Sequence, residues 1–542
     1  MNWRRDLLFL ALVGGGVWAL GVHLLPPREV KALTSHDAAA YQAESFRTIV
    51  ARIDASFRQQ WQTANVPAAA RADDLQIARR LALGLMGTVP SLEEIRQFES
   101  VPARERLDWW LDHVLQDRRS ADYLAERIAR AVVGNDDGPF LVYRRRRMVT
   151  WLADQLAQNR PYNDLVSDLL AATGIWTDKP ATNFITATSM PDEKKNQPDP
   201  VRLAGRVTRA FLGLRIDCAQ CHNHPFAAWT QDQFEGLAAF FGQTHVGFTG
   251  VYDGKGEYEV EQKRTHEKKI VPPSVPYRPD LLPTNDTRRE RLAAWVTHRE
   301  NAYFARATVN RVWAIVFGKP LVDPVDNLEP EGVSETVALP PVLTLLADDF
   351  VANGYDLRRL IRVMARLEVF RLDSATDDDR GTQADALWAV FPLTRLRPEQ
   401  VAGSVIQAAS VSTINADAHI LWRLIKFGQQ NDFVKRYGDS AEDEFSGRGG
   451  TIPQRLLLMN GNMVHERIKE SPLNAASRIA QLARSDAQAV EAAYLTVLTR
   501  RPTPAEAEHF VRFLATDDFK RAQRLEDLFW TLLNVTEFSW NH

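Results

Sequence analysis

Apolar residues along most of this chain recur at the three- and four-residue spacings of one helix face, and no strand-like alternation appears before about residue 245. That periodicity limits the fold to packed helices, because each apolar stripe needs another to cover it. Helices are predicted over 75–86, 104–115, 121–133, 145–158 and 162–172, and from Thr34 to about Ala70 the pattern is helical but polar. Capping signals mark the starts of others. Ser91 with Glu94 and Thr230 with Gln233 read as capping boxes, and Asp199 before Pro200 reads as a cap followed by a first-turn proline. The helix after Asp199 carries Val207, Ala210, Phe211 and Leu214 as its stripe. Further helices are predicted over 288–296, 304–317, 340–353, 357–367, 398–409, 453–461, 476–484, 487–498, 504–515 and 521–535.

Composition agrees with a globular body. The 542 residues are 45% hydrophobic and 25% charged, enough chain for two or three domains. The 66 Lys and Arg nearly balance the 69 Asp and Glu, for a net charge of −3. A general nucleic-acid binder would need a clear basic excess, so that class is excluded and no nucleic-acid partner is expected. Two cysteines cannot build a disulfide framework. Fourteen tryptophans suit large buried aromatic contacts.

One long apolar run exists, from Leu7 to Leu25, with Arg4 and Arg5 before it and Pro26 and Pro27 after it. Its length is near the roughly 20 residues that cross a bilayer, and the basic flank stays cytoplasmic. The expectation is an inner-membrane anchor through residues 7–25 with the body in the periplasm. Ala19-Leu20-Gly21 offers a weak cleavage site, and cleavage there would make the protein secreted. A turn signal at Asp253-Gly254-Lys255-Gly256 inside residues 246–270 suggests one small hairpin, and five prolines between Pro272 and Pro283 suggest a semi-rigid linker. The expected organisation is mainly α: residues 1–28 a signal anchor, 29–70 a spacer helix, 71–245 a first helical domain, 246–285 the hairpin and linker, and 286–542 a second helical domain.

The chemistry-bearing element is Cys218-Ala219-Gln220-Cys221-His222. This is the spacing of covalent haem c attachment: two thiols one helical turn apart meet the two vinyl groups, and the next imidazole reaches the iron. Cys218, Cys221 and His222 are therefore the candidate cofactor-binding residues. Other readings stay open. Zinc or another metal could take His222 and His224 together with the cysteines, although four ligands within seven residues strain tetrahedral geometry. The cysteines could also form a local disulfide or be structural, with no cofactor at all. For a haem, Phe211, Phe226, Trp229 and Phe241 are the candidates to cover its edges. Met459, Met463 and His245 are candidate sixth ligands, with core packing the simpler account of the methionines. The Arg144–Arg147 run could grip an anion but reads more simply as a solvated helix face, and Asp377–Asp379 as a polar turn. No H-E-x-x-H, G-x-S-x-G, Walker A or G-x-G-x-x-G pattern occurs, so no catalytic residue is assigned.

These residues resemble a family of large exported planctomycete proteins built from two domains of unknown function, the first termed cytochrome-c-like. The likeness runs from Asp73-Asp74-Leu75 through Arg160-Pro161-Tyr162 to Phe211-Leu212-Gly213 and the Cys218–Phe226 segment, then to Trp229-Thr230-Gln231 and Phe240-Phe241. Its second part runs from Asn310-Arg311-Val312-Trp313 and Phe317-Gly318-Lys319-Pro320 through Thr451-Ile452-Pro453-Gln454 and Leu458-Met459-Asn460-Gly461 to Glu537-Phe538. The resemblance implies a cytochrome-c-like first domain over 71–245 and its partner domain over 286–542. Asn223 stands where it implies Asp in many relatives. The function expected is a haem-c-type redox or electron-transfer component that would meet a redox partner protein. The alternative is a non-redox envelope binding or scaffold protein.

Overall fold

A computed structural model describes residues 13–15, 37–134, 141–192, 195–224, 228–261, 266–328, 339–375, 381–414, 433–434, 436–437, 445, 451–471, 474–515 and 520–542. The fold is mainly helical, with a few short strands in two-stranded antiparallel pairs. Apart from Val13–Gly15, the apolar run 7–25 lies outside the described residues. Among the described residues no helix is long and apolar enough to cross a membrane.

The capping chemistry behaves as its residues dictate. Ser91 and Glu94 close a capping box at the head of the Leu92–Ser100 helix, and Thr230 and Gln233 do the same for Gln231–Ala238. Asp199 accepts from the backbone N–H of Val201 at 2.9 Å and Arg202 at 3.2 Å, with Pro200 in the first turn. Helices Arg106–Gln116, Arg118–Val133, Arg145–Ala157 and Tyr162–Ala171 lie within a few residues of their predicted bounds.

The Asp74–Met86 helix departs from its amphipathic expectation. Eleven of its thirteen residues are buried, including Arg79 and Arg80. The reason is position: it lies between two apolar cores. The larger core spans Tyr41 to Phe391 together with Leu495, and includes Leu75, Ile77, Ala78, Leu81 and Leu85 from this helix. The smaller one joins Leu396 through Phe538 and takes Leu83. Gly84 lets the Ala302–Phe317 helix approach closely, since a Cβ there would sit 3.1 Å from the Val316 carbonyl oxygen. That partner helix carries Trp313, stacked on Phe317 at 4.0 Å between ring centroids and set edge-on to Trp388 at 5.2 Å.

The apolar core does not divide at the proline-rich segment; it runs continuously through residues on both sides of it. The segment itself is tied to the body. Ser274 donates its N–H to the Gly236 carbonyl at 3.0 Å, and Pro276 accepts from Gln233 Nε2 at 3.2 Å. Trp295 Nε1 donates to the carbonyls of Tyr277 and Arg278. Two hairpins replace the single one expected. Thr244–Gly247 pairs with Gly250–Asp253, and Tyr258–Glu261 pairs with Lys268–Val271. The first turns tightly because Gly250 takes φ +100, a conformation that glycine adopts without strain. Met190–Asp192 and Lys195–Gln197 also pair, too short to show alternation in sequence.

The spacer is two helices, Ala38–Gln42 and Glu44–Ala64, docked on the body through Phe46, Ile49, Ile53, Phe57 and Trp61. Its partners lie far along the chain: Trp61 Nε1 donates to the Leu387 carbonyl at 2.9 Å, and Arg58 pairs with Glu368 at 2.6 Å. Nearby, the buried Asp112 carboxylate accepts from the Tyr41 hydroxyl, the Asp37 N–H and Arg362 Nε, each at 2.9 Å.

The two cores meet where the Pro398–Ala408 helix crosses the end of Asp74–Met86. A Cβ on Gly403 would overlap the Gly87 carbonyl oxygen. Backbone cannot give way as a flexible side chain can, so Gly403→Ala is expected to destabilise the protein by about 1–3 kcal/mol. Urea denaturation of the variant beside Gly381→Ala, whose position has nothing within 4 Å of an added Cβ, checks this.

Candidate functional site

The Cys-His element sits on a surface turn built in three steps. The Pro200–Val207 helix widens into a π-turn over Thr208–Leu212 and stops at Gly213, which takes φ +63. The helix expected after Asp199 therefore ends before the Cys-His element. Gly213 is required there by its left-handed backbone and by Leu328 and Ala307, which stand 3.0 and 3.2 Å from where a Cβ would be. Leu214 and Ile216 then turn into the core, and Arg215 pairs with Asp326 at 2.8 Å.

A short 3-10 turn over Asp217–Gln220 carries the first cysteine. Ala219 is fully buried and pins the turn to the body, while the residues around it face solvent. Asp217 accepts from Arg209 Nε at 2.6 Å. Its other oxygen fits against Gly205, where any Cβ would collide with it. Cys218 and Cys221 are free thiols and both are exposed.

His222 is exposed, and its Nδ1 lies 2.7 Å from the Asn223 carbonyl oxygen. A carbonyl only accepts, so Nδ1 carries a proton, and in the neutral ring the lone pair is on Nε2. This is the arrangement in which a histidine ligates a metal through Nε2. Asn223 also accepts from the Gln231 N–H at 3.0 Å through Oδ1. Its amide oxygen thus serves the helix start that a carboxylate would serve equally. His224 donates its backbone N–H to the Trp229 carbonyl at 2.7 Å, and Trp229 is 7% exposed.

The other sequence candidates are dispersed. Phe211 and Phe241 are each 1% exposed and belong to the larger core, with Phe211 packed on Phe184 at 5.9 Å. They are therefore committed to the interior. Phe226 and Asp377–Asp379 lie outside the described residues. Met463 packs on the smaller core, and the Met459 carbonyl accepts from Trp530 Nε1 at 3.1 Å, whereas Ala219 belongs to the larger core. His245 sits on the first hairpin with Nδ1 3.2 Å from Gln197 Oε1 and its ring against Tyr252. Within the Arg144–Arg147 run, Arg145 is engaged by Glu126 at 2.7 and 3.0 Å.

No three donor atoms of Cys218, Cys221, His222 and His224 come within 4.8 Å of one another. Among the described residues the one such group is Glu94, His113 and Asp117. Arg119 bridges Glu94 and Asp117, so that group already holds its positive charge.

Residues 52–246 match the family model PSCyt2, described as a protein of unknown function (DUF1549). Residues 288–418 match PSD1, described as a protein of unknown function (DUF1553). This tandem order is consistent with a two-domain family of unknown function. No curated protein and no solved structure matches the chain.

The Gly205, Arg209 and Asp217 contact was not read from the sequence. Its one signal is a glycine inside a helical pattern, which usually has a packing reason. Gly205→Ala is expected to push Asp217 off Arg209 and loosen the turn. The reaction of Cys218 and Cys221 with a disulfide reagent should then change several-fold, with unaltered far-ultraviolet circular dichroism. Unchanged thiol kinetics would mean that this contact does not hold the turn.

Proposed function

We propose that the chain is an exported, membrane-anchored protein bearing c-type haem on its Cys-His turn, and that it serves as a redox or electron-transfer component. One observation carries the reading: two free, exposed thiols three residues apart lead into an imidazole whose Nδ1 is tied to backbone and whose Nε2 is open. Cys218 and Cys221 would hold the macrocycle through thioether bonds, and His222 Nε2 would ligate the iron. The haem would supply one-electron transfer at its iron. The buried Ala219 and the Arg209–Asp217 pair keep the turn in place, so the attachment point is rigid. Because Phe211 and Phe241 pack inward, the turn itself leaves the group open to solvent and to a partner protein. The basic-flanked apolar run 7–25 supports placement at the outer face of the inner membrane, where thiols meet haem c attachment. The name of the matched model, PSCyt2, agrees with a cytochrome-like first region.

A second reading is favoured by that same inward packing of Phe211 and Phe241. The protein would then be a non-redox envelope binding or scaffold protein whose cysteines and histidines take another metal such as zinc, or form a disulfide. Full-length protein expressed with haem c maturation should keep one haem per chain through denaturing electrophoresis, seen as a pyridine haemochrome spectrum. Cys218→Ala with Cys221→Ala should abolish it. Absence of retained haem, with stoichiometric zinc or a Cys218–Cys221 disulfide instead, selects the second reading.

A further inference from the structure

A cleft of about 430 Å³ opens between the start of the Asp74–Met86 helix, the 498–501 turn and the last residues of the chain. That volume is in the range of small-molecule sites. Two of its lining groups are unusual. Arg79 is 1% exposed and donates to the Val497 and Phe538 carbonyls at 3.2 and 3.3 Å, but its Nε has no acceptor among the described residues. Burial lowers its pKa to about 10. Thr499 is fully buried, and its hydroxyl likewise finds no partner among the described residues. It also holds φ +58, a left-handed conformation costly for a β-branched residue.

The acidic groups facing the cleft are already engaged. Asp73 accepts from the Leu75 N–H at 2.8 Å, Asp373 from the Ala375 N–H at 3.2 Å, and Glu537 from Arg500 at 2.7 and 2.8 Å. Arg501 is paired with Glu99 and Glu491. Among the described residues the unmet capacity of the cleft is therefore on the donor side, together with a guanidinium whose acidic neighbour, Glu537, is already held by Arg500. Buried donors left without acceptors are costly, and a left-handed threonine adds to that.

We propose that this cleft binds a small oxyanion, of the carboxylate or phosphate class, seated against Arg79 and Thr499. The anion would supply the missing acceptor oxygens and the counter-charge together. The site is separate from the Cys-His turn and does not depend on haem.

Thermal denaturation of the full-length protein with inorganic phosphate and, separately, with succinate tests this, against sodium chloride at matched ionic strength. At least one anion is expected to give a saturable rise in Tm, and which of them does so identifies the class. Thr499→Gly relieves the left-handed strain and removes the hydroxyl. It should melt no lower than wild type without ligand, yet bind the anion about tenfold more weakly. Thr499→Ser should bind within about threefold of wild type, because it keeps the donor. A cleft that holds only water would give no saturable rise with either anion. That result, or an unchanged affinity in Thr499→Gly, overturns the proposal.

Discussion

The burial of the Asp74–Met86 helix on nearly all sides is the constraint on which the rest of this structure depends. Among the described residues, two neighbouring arginines in its middle have no Asp or Glu side chain in salt-bridge contact, yet both are closed off from solvent. Arg80 donates to the backbone oxygens of Phe370, Leu372 and His542 at 2.9, 2.7 and 2.7 Å, and Arg79 to those of Val497 and Phe538. Hydrogen bonds from a charged group contribute about 1.5–3 kcal/mol each, which offsets part of the desolvation cost of a buried guanidinium. The same bonds draw three distant stretches of chain onto one helix. Gly84 and Gly403 then allow two further helices to close on it. The arrangement explains why one core continues past the proline-rich segment and why the second core begins at the far face of this helix.

A body held this way can present a reactive element without letting it move freely. The Cys-His turn has one buried residue, Ala219, and a neighbouring ion pair at Asp217, while its thiols and imidazole face outward. Rigid support beneath exposed chemistry suits a group that must be reached by another protein. The cleft beside Arg79 shows a different use of the same central helix. There the unmet donors lie at the seam between the two cores, so a bound anion would bear on how firmly that seam closes.

Much of the helical order was legible because its signals are local. Ser91 with Glu94, Thr230 with Gln233, and Asp199 with Pro200 each act within four residues, and each forms as its chemistry requires. The Cys-His motif was legible for the same reason. What could not be read depends on partners far along the chain. Nothing near Gly205 announces Asp217, and nothing near Trp61 announces Leu387. The burial of Arg79 and Arg80 could not be read either, since burial on a second helix face is decided by another core. The hairpin at Thr244–Asp253 was missed because a glycine-rich turn and four-residue strands carry too little alternation to count.

Native-state hydrogen exchange across a denaturant series tests the central role of this helix most directly. If it is the common support of both cores, the amides of residues 78–86 should exchange only through the largest unfolding event, at the slowest rates in the molecule. Exchange of those amides through a small local opening, while the Ala302–Phe317 and Asp486–Leu498 helices stay protected, would contradict the account.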